Sequence, residues 1–287
     1  MTEIITKTTE TGAEGAAILC DTLCRISIFG NKSTELIENT FRLCRALEKD
    51  LSKFSGDGDI QRLNASAAGC GVSQQTAELL KLALSCRDIS GGAFDVTARQ
   101  GHVSNSGDLT VEGCTVIKRP GVRVDLGGIA KGYITDAAAD NLKNAGIAHA
   151  MLDFGGNVVV IGGSPSGRPW NVGLRDPRGG PDSFFAVAAV TDASVVTSAE
   201  YERGKHIIDP GTGNPADAGC VSATVIARSS AFADALATAL FVGGEELLKT
   251  MESRSEAESP FEAVIVKKSG HVFLTSGLEK RISFCSG

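Results

Sequence analysis

Apolar residues return at helical spacing in four stretches of the chain. From Glu35 to Phe54 they are Leu36, Ile37, Phe41, Leu43, Leu47 and Leu51, and the run Gly56-Asp57-Gly58-Asp59 then breaks the pattern. From Gln75 to Ile89 they are Leu79, Leu80, Leu82, Ala83 and Cys86, with Gly91-Gly92 as the stop. A third helix is predicted from Ala130 to Asn144, stopped by Gly146 as a C-cap glycine. A fourth, strongly apolar, runs from Ala231 to Phe241 and is closed by Gly243-Gly244.

Between these lie short β-rich runs. Strands are predicted at Ile18 to Phe29, Val122 to Asp125, Ala150 to Phe154 and Val158 to Ile161. Others are Trp170 to Leu174, Phe184 to Val190, Val195 to Ser198 and Ser222 to Ala227, with a terminal hairpin from Glu262 to Val266 and Val272 to Thr275. Residues 101–125 read as short strands and turns. Residues 1–17 are rich in Thr, Glu and Gly and read as a flexible tail. Helices and strands mix without regular βαβ alternation, which predicts an α+β fold rather than a doubly wound sheet. No linker or repeat divides residues 18–287, so one domain is expected there.

Composition narrows the function. A chain of 287 residues allows one large domain or two small ones. Its net charge of −6 and pI near 5.3 lack the basic excess of a general nucleic-acid binder. Its apolar runs fall far short of a membrane span. The N-terminus has no basic start followed by an apolar run, which predicts a cytoplasmic chain as the sequence stands. The eight cysteines form no CxxC pair and fit no zinc template, so reduced, mostly buried thiols are expected.

Four constellations have the residue types that chemistry needs. In Asp125-Leu-Gly-Gly-Ile-Ala-Lys-Gly132 a strand ends on a carboxylate, two glycines turn the chain, and a helix starts beside Lys131. Such a turn suits phosphate, and it equally suits a plain strand-to-helix connection. Asp234 and Thr238 lie four apart on one face of an apolar helix. They read either as hard-cation ligands or as a helix start with its usual acid. His206 opens His-Ile-Ile-Asp-Pro-Gly, a turn position that suits a site residue or an ordinary surface histidine. Gly91-Gly-Ala-Phe-Asp95 offers an aromatic beside glycines, either a ring-binding slot or core.

Taken in order, these segments resemble the ApbE family of FAD:protein FMN transferases. The resemblance is carried by Phe54-Ser-Gly-Asp-Gly-Asp-Ile-Gln-Arg-Leu-Asn64, Gly92-Ala-Phe-Asp95, Asp125 to Gly132 and Phe154-Gly-Gly-Asn157. It continues through Thr197-Ser-Ala-Glu-Tyr201, His206 to Pro210 and Ala233-Asp-Ala-Leu-Ala-Thr238, and spans most of residues 18–275. Cys20, Phe54 and Ala199 stand where the family usually has Met, Tyr and Gly.

The resemblance implies a single α+β domain of mixed sheets with packed helices. It implies Mg²⁺-dependent transfer of FMN from FAD to a Thr or Ser hydroxyl of an acceptor flavoprotein, with release of AMP; Mn²⁺ is the alternative metal. Carried over by position, Gly128, Asp234 and Thr238 would hold the metal. Ala93, Phe94, Asp95, Asp125, Lys131 and Ile207 would contact FAD, and His206 would serve transfer. Many relatives are lipid-anchored outside the inner membrane. Two rivals share these residues: an Mg²⁺-dependent FAD pyrophosphatase that uses water in place of the acceptor, and a non-catalytic FAD-binding protein.

Overall fold

The computed structural model describes residues 3–54, 56–180, 183–199, 206–254 and 261–285. In chain order the first elements are β1 (Ile5–Thr8), β2 (Gly12–Leu19), β3 (Thr22–Phe29), α1 (Thr34–Leu51), α2 (Asp59–Ala65) and β4 (Gly69–Gly71). Next come α3 (Gln74–Ile89), β5 (Leu109–Glu112), β6 (Thr115–Lys118), α4 (Ala130–Asn144), β7 (His149–Phe154), β8 (Asn157–Ile161) and β9 (Trp170–Arg175). The rest are β10 (Phe184–Val190), β11 (Ala193–Ala199), β12 (Ile208–Asp209), β13 (Asn214–Pro215), β14 (Cys220–Ala227), α5 (Ser230–Arg254), β15 (Glu262–Lys267), β16 (Val272–Leu274) and β17 (Ile282–Phe284).

Among the described residues, nine strands form one sheet in the order β1-β2-β3-β7-β8-β11-β14-β15-β16. Every neighbouring pair in it is antiparallel. The two-residue period of its central strands sorts side chains onto two cores. Val159, Ile161, Val196, Val225 and Ile265 face the helix layer, where α4 packs between α1 and α5. Their neighbours Val160, Val195, Ile226 and Val264 face the other way, against Val172 and Leu174 of β9 and Ala186 and Ala188 of β10. The three-stranded sheet β17-β10-β9 therefore covers the second face. A small sheet, β4-β6-β5, stands beside α2 and α3. This is a single α+β domain. Among the described residues no helix is long and apolar enough to cross a membrane.

The helices have identifiable starts. The Ser33 hydroxyl accepts the Leu36 N–H at 3.1 Å and caps α1. Ile37, Phe41, Cys44, Leu47 and Leu51 then bury one face of that helix. Ser73 caps α3 in the same way, through the Thr76 N–H. The Gly244 backbone, at φ 62° and ψ −151°, kinks α5 where its first apolar run ends. The glycine pair was expected to close this helix; a further helical stretch follows the kink instead.

Three other expectations are corrected. Residues 5–8 and 12–17 are not a tail: Ile5 to Thr8 pair with Ala16 to Ala13, and β2 pairs along its length with β3. Backbone pairing needs no apolar side chains, and the inward residues of β2 ahead of Leu19 are small, so hydropathy does not reveal them. Val122 to Asp125 is extended without strand pairing. The Asn64 side chain brackets Val124, donating to its carbonyl at 2.8 Å and accepting from its N–H at 2.7 Å. The first helix stops at Leu51, short of the expected Phe54, and the last residue of the Gly56 to Asp59 run opens a short helix, α2, that was not expected. Asp59 is nearly buried and accepts from the Ser73 N–H and the Thr76 hydroxyl. Burial pushes its carboxyl up, but these bonds and Arg62 outweigh it and hold the group below the usual carboxylate value.

All eight cysteines are free thiols. Cys24, Cys44, Cys86 and Cys220 are buried, Cys20 and Cys70 half-buried, and Cys114 and Cys285 exposed.

Candidate active site

A cleft of about 710 Å³ opens where the helix layer meets one end of the large sheet. Six segments wall it: the β2–β3 turn at Cys20-Asp21, the end of α1 through Phe54, the loop after α3, the turn into α4, the end of β11, and the stretch from His206 to Pro210. Asp234 and Thr238 of α5 complete the lining. All ten residues singled out from the sequence thus reach one cavity: Ala93, Phe94, Asp95, Asp125, Gly128, Lys131, His206, Ile207, Asp234 and Thr238.

The deep end is built by two helix starts that meet. Asp234 Oδ2 accepts the Gly132 N–H in the first turn of α4 at 2.9 Å. Asp136, one turn further along α4, reaches across to the start of α5. Its carboxylate accepts from the Ser229 hydroxyl at 2.8 Å, the Ser230 N–H at 2.7 Å and the Ala231 N–H at 2.9 Å. Each helix therefore caps the other with a carboxylate, satisfying N–H groups that a helix start leaves unpaired. The approach needs a glycine, because a Cβ at Gly132 would lie 2.3 Å from the Ser230 carbonyl oxygen.

Thr238 lies one turn beyond Asp234 and faces the Gly127-Gly128 turn. A Cβ at Gly128 would stand 3.0 Å from Thr238 Oγ1 and 3.3 Å from the Phe94 ring. Gly128, Asp234 and Thr238 are thus gathered at one place, with Ser198 Oγ a further 3.3 Å from Thr238 Oγ1. Asp234 is 5 % exposed. Burial pushes its carboxyl above the usual range, while the nearby Lys131 charge, the Gly132 N–H and the Asn157 side chain pull it back.

The remaining walls are held by local bonds. Asp125 accepts the Gly127 N–H at 2.9 Å through Oδ1 and pairs with Lys53 Nζ at 2.5 Å through Oδ2. Asp95 accepts from the Thr97 N–H at 2.8 Å and the Thr97 hydroxyl at 2.7 Å. Phe94 is 4 % exposed and serves as core and wall together. Lys131 Nζ donates to the Gly155 carbonyl at 2.8 Å, tying the start of α4 to the β7–β8 turn. His206 is exposed on the rim. Ile207 is half-buried, and its carbonyl accepts the Ala216 N–H at 2.9 Å. Asp209 closes the following turn through the Gly211 N–H and the Thr212 hydroxyl. Glu200 and Tyr201 of the Thr197 to Tyr201 segment lie outside the described residues.

Cys20, at the β2–β3 turn, also faces the cleft. Burial and then the neighbouring Glu48 charge push its thiol up to about 12, which keeps it protonated and a poor nucleophile.

Sequence reasoning missed Lys53 and Asp136, and named Asn157 only as part of a motif. No local signal marks Lys53, whose partner Asp125 is 72 positions away. Asp136 carries one in retrospect, being a carboxylate among the small buried residues of α4.

The oxygens of Asp234, Thr238 and the Gly128 backbone could together hold a cation. Among the described residues no group of three His, Cys, Asp or Glu is arranged to hold a metal. Any ion here would rely on one carboxylate, Asp234, and on neutral oxygens. That set suits Mg²⁺, which keeps waters and takes phosphate oxygens as its remaining ligands. The described lining also carries five carboxylates, on Asp21, Glu48, Asp95, Asp125 and Asp234, against three cations on Lys53, Arg99 and Lys131. An anionic ligand in this cleft calls for added positive charge.

Comparison with known proteins gives a consistent picture. The model of the ApbE family matches residues 20–103 and 100–261. The FAD:protein FMN transferase of Treponema pallidum is 31% identical over 284 residues, covering 80% of this chain and 78% of that protein. That of Vibrio cholerae is 32% identical over 241 residues, covering 71% of this chain and 72% of that protein. Among solved structures, the flavin transferase ApbE from Vibrio cholerae superposes with a TM-score of 0.78 at 27% identity, covering 98% of this chain and 100% of that one. The ApbE protein of Thermotoga maritima has the same fold, with a TM-score of 0.82 at 24% identity over 98% of this chain and 99% of that one.

Proposed function

Because this chain belongs to the ApbE family, we propose that it is an FAD:protein FMN transferase that moves FMN from FAD to a Thr or Ser hydroxyl of an acceptor flavoprotein and releases AMP. The observation that carries this reading is the convergence of Asp125, Lys131, His206, Asp234 and Thr238, from three separate segments, on one cleft. The cleft lies within the size range of small-molecule sites.

Gly128, Asp234 and Thr238 would hold Mg²⁺, with Mn²⁺ as the alternative. When bound, the ion neutralises charge developing on the pyrophosphate oxygens. The chain's own residues do the rest. Lys131 lends a fixed positive charge to the same end, and the Gly127-Gly128 turn lets backbone approach the phosphates. Phe94 and Ala93 offer apolar wall to a ring system.

His206 takes the proton from the acceptor hydroxyl. The hydroxyl oxygen bonds to the FMN-side phosphorus as the bond from that phosphorus to the bridging oxygen breaks, and AMP leaves with that oxygen. The proton on His206 passes to solvent, so atoms and charge balance. The exposed rim position of His206 supports this role, because the incoming hydroxyl belongs to another protein.

The test is mass spectrometry of a candidate acceptor incubated with this protein, FAD and Mg²⁺. The expected product is one FMN joined by phosphoester to a Thr or Ser. Free FMN and AMP with no adduct would identify a pyrophosphatase instead.

A further inference from the structure

Asn157 is the last residue of the Phe154-Gly-Gly-Asn segment, and neither the cleft lining nor the proposed chemistry uses it. It opens β8 opposite Val196 of β11. Its side chain shares the helix-facing side of the sheet with Val159 and Ile161, both buried in the main core. An apolar residue is the rule at such a position. Asn157 is instead fully buried, and among the described residues neither its Nδ2 nor its Oδ1 completes a hydrogen bond. A buried amide without partners destabilises a protein, and the great majority of buried polar groups avoid that state.

What lies in front of it explains the choice. The helix that carries Asp234 packs against β8, and the Asn157 amide lies within electrostatic reach of the Asp234 carboxylate but outside hydrogen-bond geometry. Oδ2 of Asp234 is fixed from the α4 side by the Gly132 N–H. Asn157 approaches from the sheet side. The carboxylate thus stands between a backbone donor already engaged and a side-chain donor not yet engaged.

We propose that Asn157 is a positioning residue of the divalent-cation site: its Nδ2–H engages Asp234 when an ion is bound and sets the direction in which the carboxylate presents its free oxygen. This rests on the reading of Asp234 as an ion ligand. It assigns to Asn157 a stability cost in the empty protein that is recovered on loading. Partners of ligand residues in metal sites act in this way, and their loss typically weakens ion affinity by about 10–100-fold.

The experiment uses the full chain with Asn157→Leu, close in volume and unable to donate, and with Asn157→Ala in case leucine does not fit. Two quantities are measured: the melting temperature without ligands, and the affinity for Mn²⁺ by electron paramagnetic resonance. The expected result is a ligand-free melting temperature unchanged or raised, together with Mn²⁺ affinity lowered about 10–100-fold. Unchanged Mn²⁺ affinity overturns the proposal. So does a lowered ligand-free melting temperature in both variants, which would mean the amide already has a structural partner. Asp234→Asn run alongside separates the two levels. If it binds Mn²⁺ like the parent, the ion site itself is misassigned. If it loses Mn²⁺ while both Asn157 variants keep it, only the role of Asn157 falls.

Discussion

The two ends of the cleft are built on opposite principles. At the deep end, Asp234 and Thr238 sit on a buried helix whose start is locked to α4 by reciprocal carboxylate caps. At the rim, His206 is exposed and leads into strands of only two residues each. On the proposed function, such rigid, desolvated elements would hold charge where an ion and a pyrophosphate are gripped. An exposed rim is required where a second protein must deliver its hydroxyl. The contrast implies that ligand binding and acceptor activation can be damaged separately.

The largest effect is expected from Asp234→Asn. It keeps an oxygen to accept the Gly132 N–H, so the fold should survive, but it removes the one buried carboxylate of the ion site. Transfer should fall on the order of 10³-fold or more, as when a main charge-neutralising group is lost in phosphoryl transfer. Full activity at low Mg²⁺ would show that Asp234 binds no ion.

His206→Ala should lower transfer by about 10²–10⁴-fold, the usual contribution of a general base. Its melting temperature should match the parent, since the side chain is exposed. An unchanged single-turnover rate would remove His206 from the chemistry.

Asp136→Ala shifts the effect from chemistry to architecture. It leaves the Ser230 and Ala231 N–H groups and the Ser229 hydroxyl without their shared acceptor, at a cost of about 1–3 kcal/mol. Urea unfolding should report that loss. A midpoint equal to the parent would mean that the cap does not hold α5.

The smallest effect concerns pH. The Asp59 carboxyl is held below its ordinary value of 3.8, so its contribution to stability is present above 3.8 and is lost as pH falls below it. The parent should therefore lose stability more steeply than Asp59→Asn in that acid window. Parallel curves would remove Asp59 from the acid response.

These two ends were not equally legible in the sequence. The apolar period marked α1, α3, α4 and the first part of α5 to within a few residues, because each buries one face. β1 and most of β2 went unrecognised because an edge strand with polar side chains and a run rich in Gly and Ala are held by backbone bonds, which leave no hydropathy signal. Val122 to Asp125 looked like a strand because its alternation is real, but its partner is the Asn64 side chain. The candidate site residues stand in compact motifs at turns and helix starts, where chemistry leaves short-range marks. Asp136 and Lys53 act through partners far along the chain, and only the fold brings them into contact.

The most direct test of the division between the two ends is equilibrium FAD binding, followed by flavin fluorescence with and without Mg²⁺, in His206→Ala and Asp234→Asn side by side. His206→Ala should bind FAD like the parent and keep the full Mg²⁺ enhancement. Asp234→Asn should bind FAD weakly and show no Mg²⁺ enhancement. Loss of FAD binding in His206→Ala together with a retained Mg²⁺ enhancement in Asp234→Asn would contradict the account.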